Sequence, residues 1–156
     1  MIDAGSTAIA FCEMLRENFK KLTIVTHSED VFRTLSAGTA FEIYLTGGQY
    51  QKEEKAFYGF LASDFLRQFH VPKAFLFPSS ILLKEGIGDF CAPLVEMQKV
   101  MMGQAEQVFF LADSNKFQTS APIRVCSLST SDIYLTDRNL PEELAEQYRK
   151  KAFRLL

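Results

Sequence analysis

Apolar residues recur along this chain in two alternating rhythms, and small or polar residues punctuate the joins. From Ser6 to about Asn18, the residues Ile9, Ala10, Cys12, Met14 and Leu15, with Phe19 just beyond, predict a helix with a broad buried face. Leu22 to Val25 is a short β-branched run that reads as a buried strand. It ends in Thr26-His27-Ser28, and a helix is expected from about Glu29 to Leu35 with Ser28 as its N-cap. Phe41 to Leu45 predicts the next strand, ending in Thr46-Gly47-Gly48, and the charged stretch from Gln49 to Lys55 reads as a mobile loop. Phe57, Leu61, Phe65 and Phe69 lie on one helical stripe, which predicts a strongly amphipathic core helix stopped by Pro72. Lys73 to Phe77 then reads as a strand.

Pro78 to Pro93 shows no regular rhythm and holds Gly86-Ile87-Gly88-Asp89. Leu94 to about Gln107 is expected to be helical, with Val95, Met101 and Met102 inward and Glu96, Gln98 and Lys99 on the polar side. Val108 to Ala112 predicts a strand that ends in Asp113-Ser114-Asn115-Lys116-Phe117. Arg124 to Leu128 and Ile133 to Thr136 predict two more, the second ending in Asp137. Pro141, followed by Glu142 and Glu143, opens a last helix to about Lys151, after which Ala152 to Leu156 is placed to close the sheet. Strands alternating with helices imply crossovers, hence an α/β fold with a mainly parallel sheet and helices on both faces. In such sheets ligands bind outside the carboxyl ends of the strands.

The head of the chain, Met1-Ile2-Asp3-Ala4-Gly5-Ser6-Thr7, compresses a strand, a tight turn and a helix N-terminus into seven residues. Gly5 permits positive φ and close backbone approach, and free helical amides favour an anion such as phosphate. Several later strands end in residues of the same kind. The candidate rim is therefore Asp3, Gly5, Ser6, Thr7, Thr26, His27, Gly47, Gly48, Asp113 and Lys116. Amides, hydroxyls and a lysine suit a small phosphorylated ligand, and carboxylates suit sugar hydroxyls. Each residue also has an ordinary structural reading, as a strand end, a turn cap or an exposed lysine.

Composition narrows this further. The 156 residues, 47% of them hydrophobic, suffice for one domain with its own core, 15 Phe and no Trp filling it. With 17 basic against 19 acidic residues and no basic run, the chain offers no electrostatic footprint for nucleic acid. Cys12, Cys91 and Cys126 have the spacing of neither a metal site nor a redox pair and read as core thiols of a cytoplasmic protein. No apolar run is long enough for a membrane span. No metal-ligand pattern, cofactor motif or catalytic triad can be assigned. Met1 stands only two residues before the first turn, so a trimmed fragment is expected.

Asp3-Ala4-Gly5-Ser6-Thr7, Thr26-His27-Ser28, Gly47-Gly48, Lys73-Ala74-Phe75 and Leu111-Ala112-Asp113-Ser114-Asn115-Lys116-Phe117 occur in the order found in the C-terminal sensor domain of DeoR-type transcriptional regulators. Gly59, Glu96, Lys99 and Thr136-Asp137 also stand where that family has them. This chain resembles the family over essentially its whole length, residues 1–156. The resemblance implies a Rossmann-like fold shared with ribose-5-phosphate isomerase and a sugar phosphate held by the first turn. It also implies an assembly of identical chains, and DNA reading by an N-terminal helix-turn-helix outside this sequence. Two departures stand out. His27 replaces the family's usual Asn, and Pro78-Ser79-Ser80 replaces a small-acidic-glycine turn. The alternative on the same fold is a sugar-phosphate isomerase or deaminase. Its carboxylate is missing from the Ser79-Ser80 turn, leaving only Asp89 or Glu96 as substitutes. A protein-interaction module without a small ligand is the third reading.

Overall fold

The computed structural model describes residues 1–156. In chain order its elements are α1 (Ser6–Asn18), β1 (Thr23–Thr26), α2 (Glu29–Ser36), β2 (Glu42–Leu45), β3 (Gln49–Gln51), β4 (Ala56–Tyr58), α3 (Phe60–Arg67) and β5 (Val71–Leu76). There follow β6 (Ser80–Leu82), β7 (Gly86–Asp89), α4 (Ala92–Gly103), β8 (Ala105–Leu111), a 3-10 turn (Ser114–Phe117), β9 (Ile123–Cys126), β10 (Ile133–Leu135), α5 (Glu142–Lys150) and β11 (Arg154–Leu155).

The main sheet is parallel throughout. Ile2 is its hinge: it bridges Thr26 on one side and Phe75 on the other, with the Ile2 amide donating to Val25 and the Asp3 amide to Phe75, each at 3.0 Å. The order across the sheet is therefore β2, β1, Ile2, β5, β8, β10, β11. The chain runs outward from Ile2 to β2, then returns to the other side of Ile2 and runs outward again. That reversal is the switch point of a doubly wound sheet, where helices leave on opposite faces and open a crevice at the carboxyl ends.

Two apolar layers follow from the alternation of side chains along each strand. Ile2, Ile24 and Phe77 pack on one face against Ala8 and Cys12 of α1 and Val31 and Leu35 of α2. Val25, Leu76 and Phe110 face the other way, against Ala62 and Leu66 of α3, Met97 and Met101 of α4 and Tyr148 of α5. Helices thus cover both faces. All three cysteines are free, Cys12 fully buried, and burial pushes its thiol up to about 12. No helix is long and apolar enough to cross a membrane.

Four sequence expectations change. Gln49 to Lys55 is not a mobile loop: β3 and β4 pair antiparallel, Tyr50 opposite Phe57 with ring centroids 5.2 Å apart. Such a cross-strand aromatic pair holds a hairpin too short to announce itself by alternation. The helix expected from Phe57 starts only at Phe60, after Gly59 at φ 83°. Its inward face is Ala62, Ser63 and Leu66, while Phe60 and Leu61 are 77% and 68% exposed. Of the predicted stripe, Phe57 belongs to β4 and Leu61 faces out, while Phe65 and Phe69 pack at the edge of the core. Pro78 to Pro93 contains β6 and β7, and β7 pairs with β9 in a separate antiparallel sheet, so residues 123–126 do not join the main one. Finally, α4 ends at Gly103 and β8 begins at Ala105, where the sequence pattern carried the helix to Gln107. Gln98, expected on the polar side of that helix, is 1% exposed.

Candidate functional site

Gly5, His27, Gly47 and Lys116 all follow the carboxyl ends of parallel segments and so share one rim of the sheet. The chemistry beneath that rim starts at Asp3, which is fully buried. Its Oδ1 accepts from the Ala4 amide and contacts His27 Nε2, both at 2.8 Å. Its Oδ2 accepts from Gln98 Nε2 at 2.9 Å and the Phe77 amide at 3.3 Å. His27 Nδ1 lies 3.0 Å from the Phe57 carbonyl. Both ring nitrogens therefore face oxygens, the Asp3 carboxylate and the Phe57 carbonyl. Thr26 closes the floor: its hydroxyl donates to Ile2 at 2.7 Å and accepts from the Ser28 amide at 3.1 Å. Asp3, Thr26 and His27 support the site from below, and none lines the cavity above.

That cavity, about 440 Å³, opens at the switch point. One wall is Ala4, Gly5, Ser6 and Thr7; another is Phe77, Pro78 and Ser79 at the end of β5, with Ala112 and Lys116 beyond β8. Gly5 has φ 147° and no side chain caps α1, so the first amides of the helix have no intrahelical acceptor and point their positive end into the crevice. Lys116 is half-buried on the 3-10 turn and has no carboxylate in ion-pair range. Asp113 caps that turn through the Asn115 amide at 3.0 Å. Asp137 holds it from the end of β10 by accepting from the Ser114 amide at 2.9 Å. This backbone bond and a second from Asn139 keep the Asp137 carboxyl below its usual range.

The hairpin of β3 and β4 overhangs the cavity, and its turn contributes Glu53, Glu54 and Lys55. It is fastened at the base: the Glu29 amide donates to Lys55 and the Phe57 amide to His27, each at 2.8 Å. Lys55 pairs with Asp30 at 3.3 Å. The Tyr50 hydroxyl donates to Glu29, a bond that lowers the Glu29 carboxyl and raises the tyrosine. Asp89, 4% exposed, also lines the wall.

Of the residues expected from sequence, Gly5, Ser6, Thr7, Asp89 and Lys116 come together around the cavity. Gly47, Gly48, Glu96 and Asp113 do not line it. Gly48, at φ 118°, lets the end of β2 pass the Tyr58 carbonyl, which a Cβ there would meet at 2.8 Å. Glu96 accepts from Ser63 at 2.8 Å and ties α4 to α3. The residues that sequence reasoning missed are Asp30, Glu53, Glu54 and Lys55. For the last three the only signal was the charged Gln49–Lys55 stretch, and a charge run carries no sign of where a hairpin will fold.

With the geometry in place, comparison with known proteins decides the family. The model of the DeoR C-terminal sensor domain matches residues 1–138. The chain belongs to that family. It is similar to the transcriptional repressor AccR of Agrobacterium fabrum, at 30% identity over 97% of this chain and 60% of the relative. It is also similar to the L-fucose operon activator of Haemophilus influenzae, at 28% identity over 92% of this chain and 57% of the relative. The glycerol-3-phosphate regulon repressor of Escherichia coli is 29% identical over 90% of this chain and 55% of the relative. This sensor domain therefore spans somewhat over half the length of the curated relatives it matches. Its relatives are transcriptional regulators, and the domain is a regulatory one rather than an enzyme.

Proposed function

We propose that this sensor domain binds a small phosphorylated sugar in the switch-point cavity, and that its occupancy controls DNA binding by an N-terminal helix-turn-helix of a longer, cytoplasmic regulator. The observation that carries the reading is the coincidence of an uncapped α1 N-terminus and the unpaired Lys116 in one cavity. The helix terminus offers fixed amide donors, and the lysine adds a charge-assisted bond of roughly 1.5–3 kcal/mol. A glycerol-3-phosphate regulon repressor among its relatives is in keeping with a phosphorylated effector.

A panel of sugar phosphates tests this by thermal unfolding. A ligand present at ~100 times its Kd stabilises the fold by about 2.7 kcal/mol, seen as a rise in Tm. Lys116→Ala is expected to reduce the rise without lowering the melting point of the free domain. The second phosphate ionisation lies at pH ~6. As pH falls through that value the dianion is lost, so affinity should weaken toward acid. No rise with any sugar phosphate would remove the reading.

A gel-shift experiment with the chain alone is the companion test. With net charge −2 and no basic stripe, it should not retard duplex DNA in the ~micromolar range at physiological salt. Micromolar, salt-sensitive retardation would place DNA reading in this chain instead.

A further inference from the structure

The charges around the cavity ask for more than a phosphate. Its lining holds four carboxylates, Asp30, Glu53, Glu54 and Asp89, but only two lysines, Lys55 and Lys116. Lys55 is already taken by Asp30 at 3.3 Å. Glu53, Glu54 and Asp89 have no basic partner. A phosphate dianion on an otherwise neutral sugar would add negative charge to a space already short of positive charge. Such like-charge crowding is costly where water is partly excluded.

Asp89 shows where the compensating group would go. Its Oδ1 is crowded with donors, the Phe90 amide at 2.7 Å and the Cys91 amide and Ser79 hydroxyl at 3.2 Å. Its Oδ2 has only Gln98 Nε2, at a long 3.3 Å, and that same nitrogen is shared with Asp3 at 2.9 Å. The adjoining Gln98 Oε1 is buried and accepts from nothing. Asp89, which lines the cavity where Gln98 does not, thus offers it an under-used acceptor oxygen. A metal ion is not the match, since no three carboxylate, thiol or imidazole side chains lie close enough to hold one. An ammonium is, because it donates three times and accepts nothing.

Resting on the sugar-phosphate reading above, we infer that the ligand is zwitterionic: a phosphorylated amino sugar with a free amine. Its phosphate meets the α1 N-terminus and Lys116, and its ammonium meets Asp89 beneath the Glu53-Glu54 turn. The cavity volume of about 440 Å³ lies within the range of small-molecule sites and accommodates a hexose phosphate.

Calorimetric titration of the domain tests the class. Glucosamine 6-phosphate is compared with glucose 6-phosphate and N-acetylglucosamine 6-phosphate, and the galacto and manno series are run in the same way. These probes share phosphate and ring and differ only in carrying an ammonium, a hydroxyl or a neutral amide. One free-amine ligand should bind about tenfold or more tightly than both of its neutral counterparts, the discrimination of one charge-assisted bond. Glu53→Gln with Glu54→Gln, on an exposed turn where the fold does not depend on them, should shrink that preference. Asp89→Asn should abolish that preference, since its amide offers no charge to an ammonium. Equal affinity for amine and hydroxyl ligands across all three series would overturn the inference and leave the sugar-phosphate reading intact. Binding of no sugar phosphate would overturn that reading and this inference with it.

Discussion

His27→Ala should cost about 3–5 kcal/mol of folding stability, because it removes the imidazole partner of a fully buried carboxylate. In the native fold His27 Nε2 stands 2.8 Å from Asp3 Oδ1, and both side chains are at 0% exposure. Truncation leaves the Asp3 carboxylate with its amide donors and Gln98 but no imidazole. It also leaves the Phe57 carbonyl without its contact to the ring, so the hairpin over the cavity loses one of its fastenings. His27→Asn keeps a neutral donor at the same position and should cost less than alanine. Urea unfolding of the three proteins measures the effect, provided the m-value is unchanged so that the midpoint reports stability. A loss below ~1 kcal/mol for His27→Ala would mean that water or rearrangement replaces the imidazole, and that the buried network is not the support described above.

The second large effect is on binding. Gly5→Val should erase the whole ligand-dependent stabilisation of about 2.7 kcal/mol expected at ~100 times Kd. At φ 147° the Gly5 backbone occupies a region that side chains rarely enter, and a Cβ there would stand 3.0 Å from the Phe77 Cβ. The valine must displace Phe77 or turn the peptide, and either movement spoils the amides at the head of α1. The free variant should also melt lower, since strain of this kind costs roughly 1–3 kcal/mol. Circular dichroism confirms that the variant is folded, and titration with the sugar phosphate that stabilises the parent reads binding separately from stability. An undiminished ligand shift in a folded Gly5→Val protein would move the ligand away from the first turn.

Both effects depend on residues that the sequence singled out, but they depend on them in different ways. Gly5 is legible because backbone geometry is local: a glycine between a short apolar run and a helical pattern has few other reasons to be there. His27 was legible only as a polar residue at a strand end. Whether such a residue faces a ligand or a buried carboxylate depends on Asp3, twenty-four positions away, and on Gln98, which the helical pattern assigned to the wrong side. The same limit explains Gly47 and Gly48. Their position after β2 was readable, but the task of Gly48, admitting the Tyr58 carbonyl, is set by a hairpin that no periodicity announced, and Gly47 has open space around it.

By itself the sequence determined the α/β class, the alternation of strands and helices, and the gathering of strand ends on one rim. Hydrophobic period, β-branched runs and glycine turns are local quantities, and parallel crossovers follow from them with few alternatives. Only the tertiary structure decided which strand ends meet. The order β2, β1, Ile2, β5, β8 puts the first turn beside the end of β5 and within reach of Lys116, and leaves Gly47, Gly48 and Glu96 outside the cavity lining. The structure also decided the sign of the cavity. Glu53 and Glu54 sit on a turn whose place over the pocket comes from Phe57, Lys55 and Tyr50 contacts to the loop and helix after β1. Those contacts join residues 21 to 30 positions apart in the chain. A linear pattern records charges at such separations, but not that folding brings them to face one ligand.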